Sequence, residues 1–155
     1  MNDDKLTDLL QKTKTIAVVG LSKHWNRPSN FVGKYLIEHG YKVVPVNPRY
    51  EEILGLKSYP SIVDIPFQID MVDCFRKPEE LDEVLQHTIE KGVSRLWLQI
   101  GVINMDVKAK AQNEGITVVM DRCIKIEHAR LFGGLNFVGV NTKVIRSRRS
   151  RQVYN

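Results

Sequence analysis

The stretch Gly20-Leu21-Ser22-Lys23, followed by Arg27 and Ser29, holds the residue types that bind phosphate. Gly20 permits a tight turn and lets a ligand approach the main chain. The hydroxyls of Ser22 and Ser29 are hydrogen-bond donors, and Lys23 and Arg27 bring positive charge. A helix opening at Pro28 would turn its free N–H groups and the positive end of its dipole toward the same place. A second group, Asn47-Pro48-Arg49, suits a phosphorylated ribose, because a guanidinium can pair two phosphate oxygens at once. The alternative is a turn glycine, serines that cap a helix, and a solvated arginine.

A third cluster is Asp121, Cys123, Glu127 and His128. A cysteine at a helix N-terminus is a better thiolate, and His128 lies about one turn away to act as a base. The plainer expectation is a helix start capped by Asp121 with a half-buried Cys123. The histidines His24, His39, His87 and His128 show no catalytic or metal-ligand spacing. Trp25 is placed to cover a ligand ring, whereas Trp97 and Phe137 read as core or interface residues. Cys74 and Cys123 are too far apart for a metal motif and too few for a disulfide framework, so the expected setting is a reducing cytoplasm.

These groups need elements to hold them. Leu6, Leu9 and Leu10 predict a short opening helix. The continuous run Ile16-Ala17-Val18-Val19 before Gly20 predicts a buried parallel strand. Residues 28–39 read as a helix, with Phe31, Val32, Tyr35 and Leu36 on one face and Gly33 packed closely on the first strand. Further strands are expected at 41–46, 69–75, 95–100 and 116–120. Helices are expected at 78–91, with Leu81, Val84, Leu85 and Ile89 as the apolar face and Gly92 as the stop, at 106–114 and at 123–131. Residues 49–66 read as a loop with one short helix near Ser61. This alternation predicts an α/β fold, a doubly wound parallel sheet of about five strands in the order 3-2-1-4-5. Ligands in such sheets bind beyond the carboxyl ends of the strands, beside strand 1. The candidate site is therefore Gly20, Leu21, Ser22, Lys23, Arg27 and Ser29, then Asn47, Pro48 and Arg49, then Phe75, Arg76 and Lys77, then Gln99 and Gly101.

The nicotinamide-dinucleotide fingerprint is missing: one glycine follows strand 1, and no acid follows strand 2 to bond a ribose 2′-hydroxyl. The 2′-phosphate of NADP and the 3′-phosphate of coenzyme A both fit the amide and guanidinium found there. The chain resembles the small bacterial CoA-binding proteins related to the CoA-binding domain of the succinyl-CoA synthetase α subunit. The resemblance runs from about Thr15 to Leu131 through Ile16-Ala17-Val18-Val19-Gly20-Leu21-Ser22, Arg27-Pro28-Ser29, Pro45-Val46-Asn47-Pro48, Glu52-Ile53-Leu54-Gly55, Tyr59-Pro60-Ser61, Val72-Asp73-Cys74-Phe75-Arg76, Trp97-Leu98-Gln99-Ile100-Gly101-Val102 and Asp121-Arg122-Cys123. It implies a Rossmann-like fold, with the loop after strand 1 on the diphosphate and Asn47-Pro48-Arg49 near the ribose phosphate. By the same resemblance Phe75-Arg76 and Gln99-Ile100-Gly101 line the adenine and pantetheine path. The synthetase has a second α domain with a phosphorylated histidine and a partner β subunit. This chain is expected to end before any such domain, so the resemblance carries over binding and not ligase activity.

Five of the 23 basic residues, Lys143, Arg146, Arg148, Arg149 and Arg151, stand together without an acid. The other 18 balance the 18 acids, so the net charge of +5 belongs to the end of the chain. That argues against a nucleic-acid partner, which would need a basic folded face. The expected organisation is a binding domain at 1–142 and a solvated basic tail at 143–155. No run is apolar enough to cross a membrane, and the polar start of the chain is not a secretory signal. The expected function is binding of coenzyme A or an acyl-CoA without catalysis. The alternatives are an enzyme using NADP or acyl-CoA, the latter through Cys123, and a protein-interaction module. A second copy of the chain is a candidate partner.

Overall fold

The structure is a computed structural model that describes residues 1–133. Phe137, the domain boundary at 142 and the basic tail lie outside the described residues. The described residues divide into two compact units, Thr13–Cys123 and a unit formed by Met1–Lys12 with residues 124–133.

The larger unit carries the alternation read from the sequence. Its elements are β1 (Thr15–Val19), α2 (Pro28–Glu38), β2 (Lys42–Val46), β3 (Glu52–Ile53), β4 (Leu56–Lys57), β5 (Met71–Cys74), α3 (Leu81–Lys91), β6 (Arg95–Leu98), α4 (Met105–Asn113) and β7 (Thr117–Val119). The helices α1 (Asp3–Lys12) and α5 (Ile124–Phe132) form the other unit. In that unit Arg130 makes a two-toothed ion pair with Asp3, at 2.8 and 2.9 Å, and bonds Glu127 at 2.9 Å.

Five strands form one parallel sheet in the order β2-β1-β5-β6-β7. The fold class is the expected one, but the order is not. Counted within this sheet it is 2-1-3-4-5, not 3-2-1-4-5. The third strand pairs with the free side of β1, in register Ile16 with Met71 and Val19 with Cys74. Asp70, just before that strand, fixes the pairing. Its Oδ2 accepts the main-chain N–H groups of Lys14 at 2.9 Å and Thr15 at 3.0 Å, while its own N–H donates to the Thr15 carbonyl.

Alternate strand residues build the core. Ala17, Val19, Val44, Val46, Val72, Cys74, Leu96, Leu98 and Val118 share one side of the sheet. They pack with Leu81, Val84 and Leu85 of α3, Val107 and Ala111 of α4, and Ile62, Ile65 and Ile69 from the β4–β5 connection. Gly92 closes α3 in the left-handed conformation, at φ +75°. The expected helix 78–91 opens instead as a 3-10 turn, Pro78–Glu80, before α3 begins.

Two local expectations need correcting. Phe31 is 46 % exposed, and α2 buries Ser29, Asn30, Val32, Gly33 and Leu36. Gly33 does allow close packing, but against Leu21 and Leu54, whose Cδ1 atoms would lie 3.1 and 3.2 Å from a Cβ. Residues 49–66 do contain a short helix, a 3-10 turn at Ile62–Asp64. They also contain an unexpected hairpin, β3 with β4, turned by Leu54 at φ +56° and Gly55 at φ +74°. Positive φ at both turn residues is the hairpin geometry that matches strand twist, but it is usually marked by Asn-Gly or Asp-Gly, not Leu-Gly.

Candidate functional site

Main-chain hydrogen bonds continue past the ends of the strands and line the candidate residues up. The Gly20 N–H donates to the Val46 carbonyl at 2.9 Å, and Phe75 N–H to Val19 at 2.9 Å. Gln99 N–H donates to Cys74 and Arg122 N–H to Leu98, both at 3.4 Å. Asn47, Gly20, Phe75, Gln99 and Arg122 thus stand in one row along the carboxyl edge of the sheet. The switch point of the 2-1-3-4-5 order falls in the middle of that row, between β1 and β5. There Gly20, at φ +85°, faces Phe75, and an added Cβ would lie 3.4 Å from the Phe75 Cβ.

The loop after β1 is built to donate. Ser22 N–H bonds the Ser29 Oγ at 2.9 Å, and His24 N–H bonds the Ser22 Oγ at 3.1 Å. Each hydroxyl is used as an acceptor, so each keeps its proton to donate. The Asn30 Nδ2 ties the loop down by donating to the Ser22 carbonyl at 2.8 Å. Arg27 is the N-cap residue of α2, and no side chain caps the helix. The serines therefore organise the loop and leave the helix end open, which is the arrangement that holds an anion. Lys23 and Arg27 are exposed beside it.

Asn47 joins this loop to the next. It is buried, its Nδ2 donates to the Leu21 carbonyl at 3.0 Å, and its Oδ1 accepts the Arg49 N–H at 3.0 Å. Arg49 is exposed with its main chain fixed in this way. Lys23 lies over the Tyr50 ring, 5.1 Å from its centroid, and His24 meets the same ring edge-on. The phosphate-type loop and the arginine are thereby held side by side.

Two clefts open at the strand ends. One, of about 480 Å³, has an apolar floor of Val19, Val46, Ile62 and Val84, with Pro48 and Pro60 on its wall and Ser61, Arg76, Glu80, Glu83 and His87 at its rim. The other, of about 640 Å³, is lined by Asn47, Pro48, Arg49, Tyr50, Lys57 and Ser58, with Glu51, Glu52 and Pro60. Pro48 and Arg76 were expected there. Pro60, Ser61, Glu80, Glu83 and His87 were not assigned to a site from sequence, although Tyr59-Pro60-Ser61 was among the family-like motifs. Lys77 is exposed and precedes the Pro78–Glu80 turn.

Gln99 and Gly101 stand beyond β6. Gln99 is 4 % exposed, and its Nε2 donates to the Asp73 Oδ1 at 2.5 Å. Asp73 is fully buried within β5, in register with Val18 of β1 and Trp97 of β6. Burial pushes its carboxyl up to about 7, against the lowering effect of the Gln99 bond. Its Oδ2 has no hydrogen-bond partner among the described residues. Gly101 N–H donates to the Asp121 Oδ1 at 2.9 Å, so this carboxylate secures the β6 turn. Asp121 itself adopts φ +62°.

Cys74 is buried, and desolvation pushes its thiol up to about 12. Cys123 is half-buried. Glu127 is bonded to Arg130, and the His128 ring lies 4.7 Å from that of Phe132. Trp25 is 73 % exposed in the loop after β1, and Trp97 is fully buried, its Nε1 donating to the Arg122 carbonyl at 2.8 Å. Among the described residues no helix is long and apolar enough to cross a membrane.

Known proteins resemble this chain in sequence and fold. A protein from Pyrococcus horikoshii OT3 of hypothetical function superposes with a TM-score of 0.84 at 44% identity, over 86% of this chain and 94% of that one. A Thermus thermophilus structure superposes at 0.82 with 40% identity, over 85% of this chain and 100% of its own. The Bacillus subtilis protein YneT is 39% identical over 125 residues, which is 81% of this chain and 93% of YneT. An ADP-forming acetate–CoA ligase of Archaeoglobus fulgidus is 37% identical over 82 residues, 52% of this chain but only 12% of the ligase. Residues 14–129, which include every strand of the sheet and the whole row of strand ends, match the family described as the CoA binding domain, and to that family this chain belongs.

Proposed function

We propose that this protein binds coenzyme A, or an acyl-CoA, along the carboxyl edge of its sheet, and does no chemistry of its own. The observation that carries the reading is the open N-terminus of α2 beside two hydroxyls that keep their protons, at the switch point. A diphosphate there receives N–H and O–H donors without meeting an acid. Arg49 then reaches the ribose 3′-phosphate. The adenine enters the apolar cleft between β1, β2 and α3, where Arg76 covers it and the carboxylates of Glu80 and Glu83 suit its amino group better than a phosphate. The pantetheine arm leads past Phe75 toward Gln99 and Gly101.

Thermal unfolding with a ligand panel tests this. Coenzyme A at about 100 times its Kd adds about 2.7 kcal/mol of stability. NADP is expected to add less and NAD nothing, since no acid follows β2. A shift with NAD and none with coenzyme A overturns the reading. Mass spectrometry of small molecules released from the purified protein identifies any acyl group.

On this reading the binding domain is residues 1–142 and the basic tail takes no part. Removal of residues 145–155 should leave the coenzyme A shift intact in the same assay. Loss of the shift would assign part of the site to the basic tail.

A further inference from the structure

The pair Asp73–Gln99 is unusual for what it costs. A carboxyl group sits fully buried in a central strand, and only one of its oxygens is bonded. A buried polar group without its full set of partners is unfavourable by about 1–3 kcal/mol, and an apolar side chain would fill β5 at less expense. The bond it makes goes to a residue of the strand-end row, 26 positions away in sequence.

The main chain of Gln99 is already held without Asp73. Its N–H donates to Cys74, and its carbonyl accepts the Val102 N–H at 2.9 Å. What Asp73 adds is the orientation of the side-chain amide. The Asp73 Oδ1 accepts from the Gln99 Nε2, so the Gln99 NH₂ is turned inward. The carbonyl Oε1 is left facing away from Asp73. Among the described residues it takes no protein donor, and it is not one of the enclosed atoms that lack a partner.

We propose that Asp73 is a positioning residue, which locks the Gln99 amide so that its Oε1 is presented at the carboxyl edge as an acceptor for an amide N–H of the ligand. This rests on the coenzyme A reading above, and it assigns Gln99 to the pantetheine arm, the part of that ligand that carries amide N–H groups. A free glutamine could present either end of its amide. A locked one offers an oxygen only, and so selects for a donor at that point along the ligand.

The test is calorimetric binding of two ligands, coenzyme A and adenosine 3′-phosphate 5′-diphosphate, which lacks the pantetheine arm. Gln99→Leu and Asp73→Leu are each expected to weaken coenzyme A by about 10-fold, the worth of one hydrogen bond. Affinity for the truncated ligand should stay within about twofold. Asp73→Asn carries a donor as well as an acceptor and can pair with either end of the Gln99 amide, so it should weaken coenzyme A while affinity for the truncated ligand stays within about twofold. Should Asp73→Leu fail to fold, Gln99→Leu and Asp73→Asn still decide the matter. Unchanged coenzyme A affinity in Gln99→Leu, or equal losses for both ligands, overturns the proposal while leaving coenzyme A binding intact. Failure of the wild-type protein to bind either ligand overturns the coenzyme A reading and this proposal with it.

Discussion

Arg49→Ala should weaken coenzyme A by roughly 10- to 150-fold, the worth of a charge-assisted contact of roughly 1.5–3 kcal/mol. Dephospho-CoA lacks the 3′-phosphate, and its affinity should barely change. The argument starts from Asn47, which holds the Arg49 main chain at 3.0 Å and also holds the loop after β1 through Leu21. The guanidinium has no ion-pair partner among the described residues and lies on the 640 Å³ cleft, so it is available to a phosphate. Calorimetry on the wild type and the mutant with both ligands gives four affinities and a closed cycle that isolates the one contact. Equal losses for the two ligands would mean that Arg49 acts through the general field. The 3′-phosphate would then belong to Arg76, Lys77 or Lys23.

The second large effect concerns pH and stability. The Asp73 carboxyl is pushed up to about 7 by burial, from an ordinary value of 3.8. Below pH 3.8 both the folded and unfolded chains hold this proton. Between there and about 7 the unfolded chain has lost it while the folded chain keeps it, so the folded state binds more protons. Stability therefore falls as pH rises through this window, and levels off above it. The slope from this one group is about 1.4 kcal/mol per pH unit. Asp73→Asn cannot ionise and should lack this slope. Denaturant unfolding at about pH 5 and about pH 8 should show the mutant gaining on the wild type by on the order of 3 kcal/mol. A constant difference across the window would mean that Asp73 is ionised in the folded state throughout.

The elements that hold the site were legible because their signals are local. The β-branched run before Gly20 gives β1, and the spacing of Leu81, Val84 and Leu85 before Gly92 gives α3. The order of the strands was not legible. Asp73 aside, the buried positions of the strands are apolar on both faces, so little in their composition names a neighbour, and the decisive bonds run from Asp70 to Lys14 and Thr15, more than fifty residues away. The strand-end rule gave the row from Asn47 to Gln99 whichever order held, because a parallel sheet puts all its carboxyl ends on one edge. It could not give the cleft lining. Ser61 and Ile62 come from an irregular connection, and Glu80, Glu83 and His87 from a helix and the turn before it, so only the fold brings them together. Asp73 was missed for the opposite reason: it lies in the middle of a strand, where a site search from the strand ends does not look.

The positions of the two tryptophans give the molecule a pair of built-in optical probes. Trp97 is sealed in the sheet with its indole N–H bonded to Arg122, and Trp25 stands in water on the loop that carries Ser22 and Lys23. One indole emits from an apolar, rigid surrounding and the other from a mobile aqueous one, so their fluorescence separates by colour without any label. The short-wavelength component follows the integrity of the sheet, and the long-wavelength component follows whatever settles on the loop.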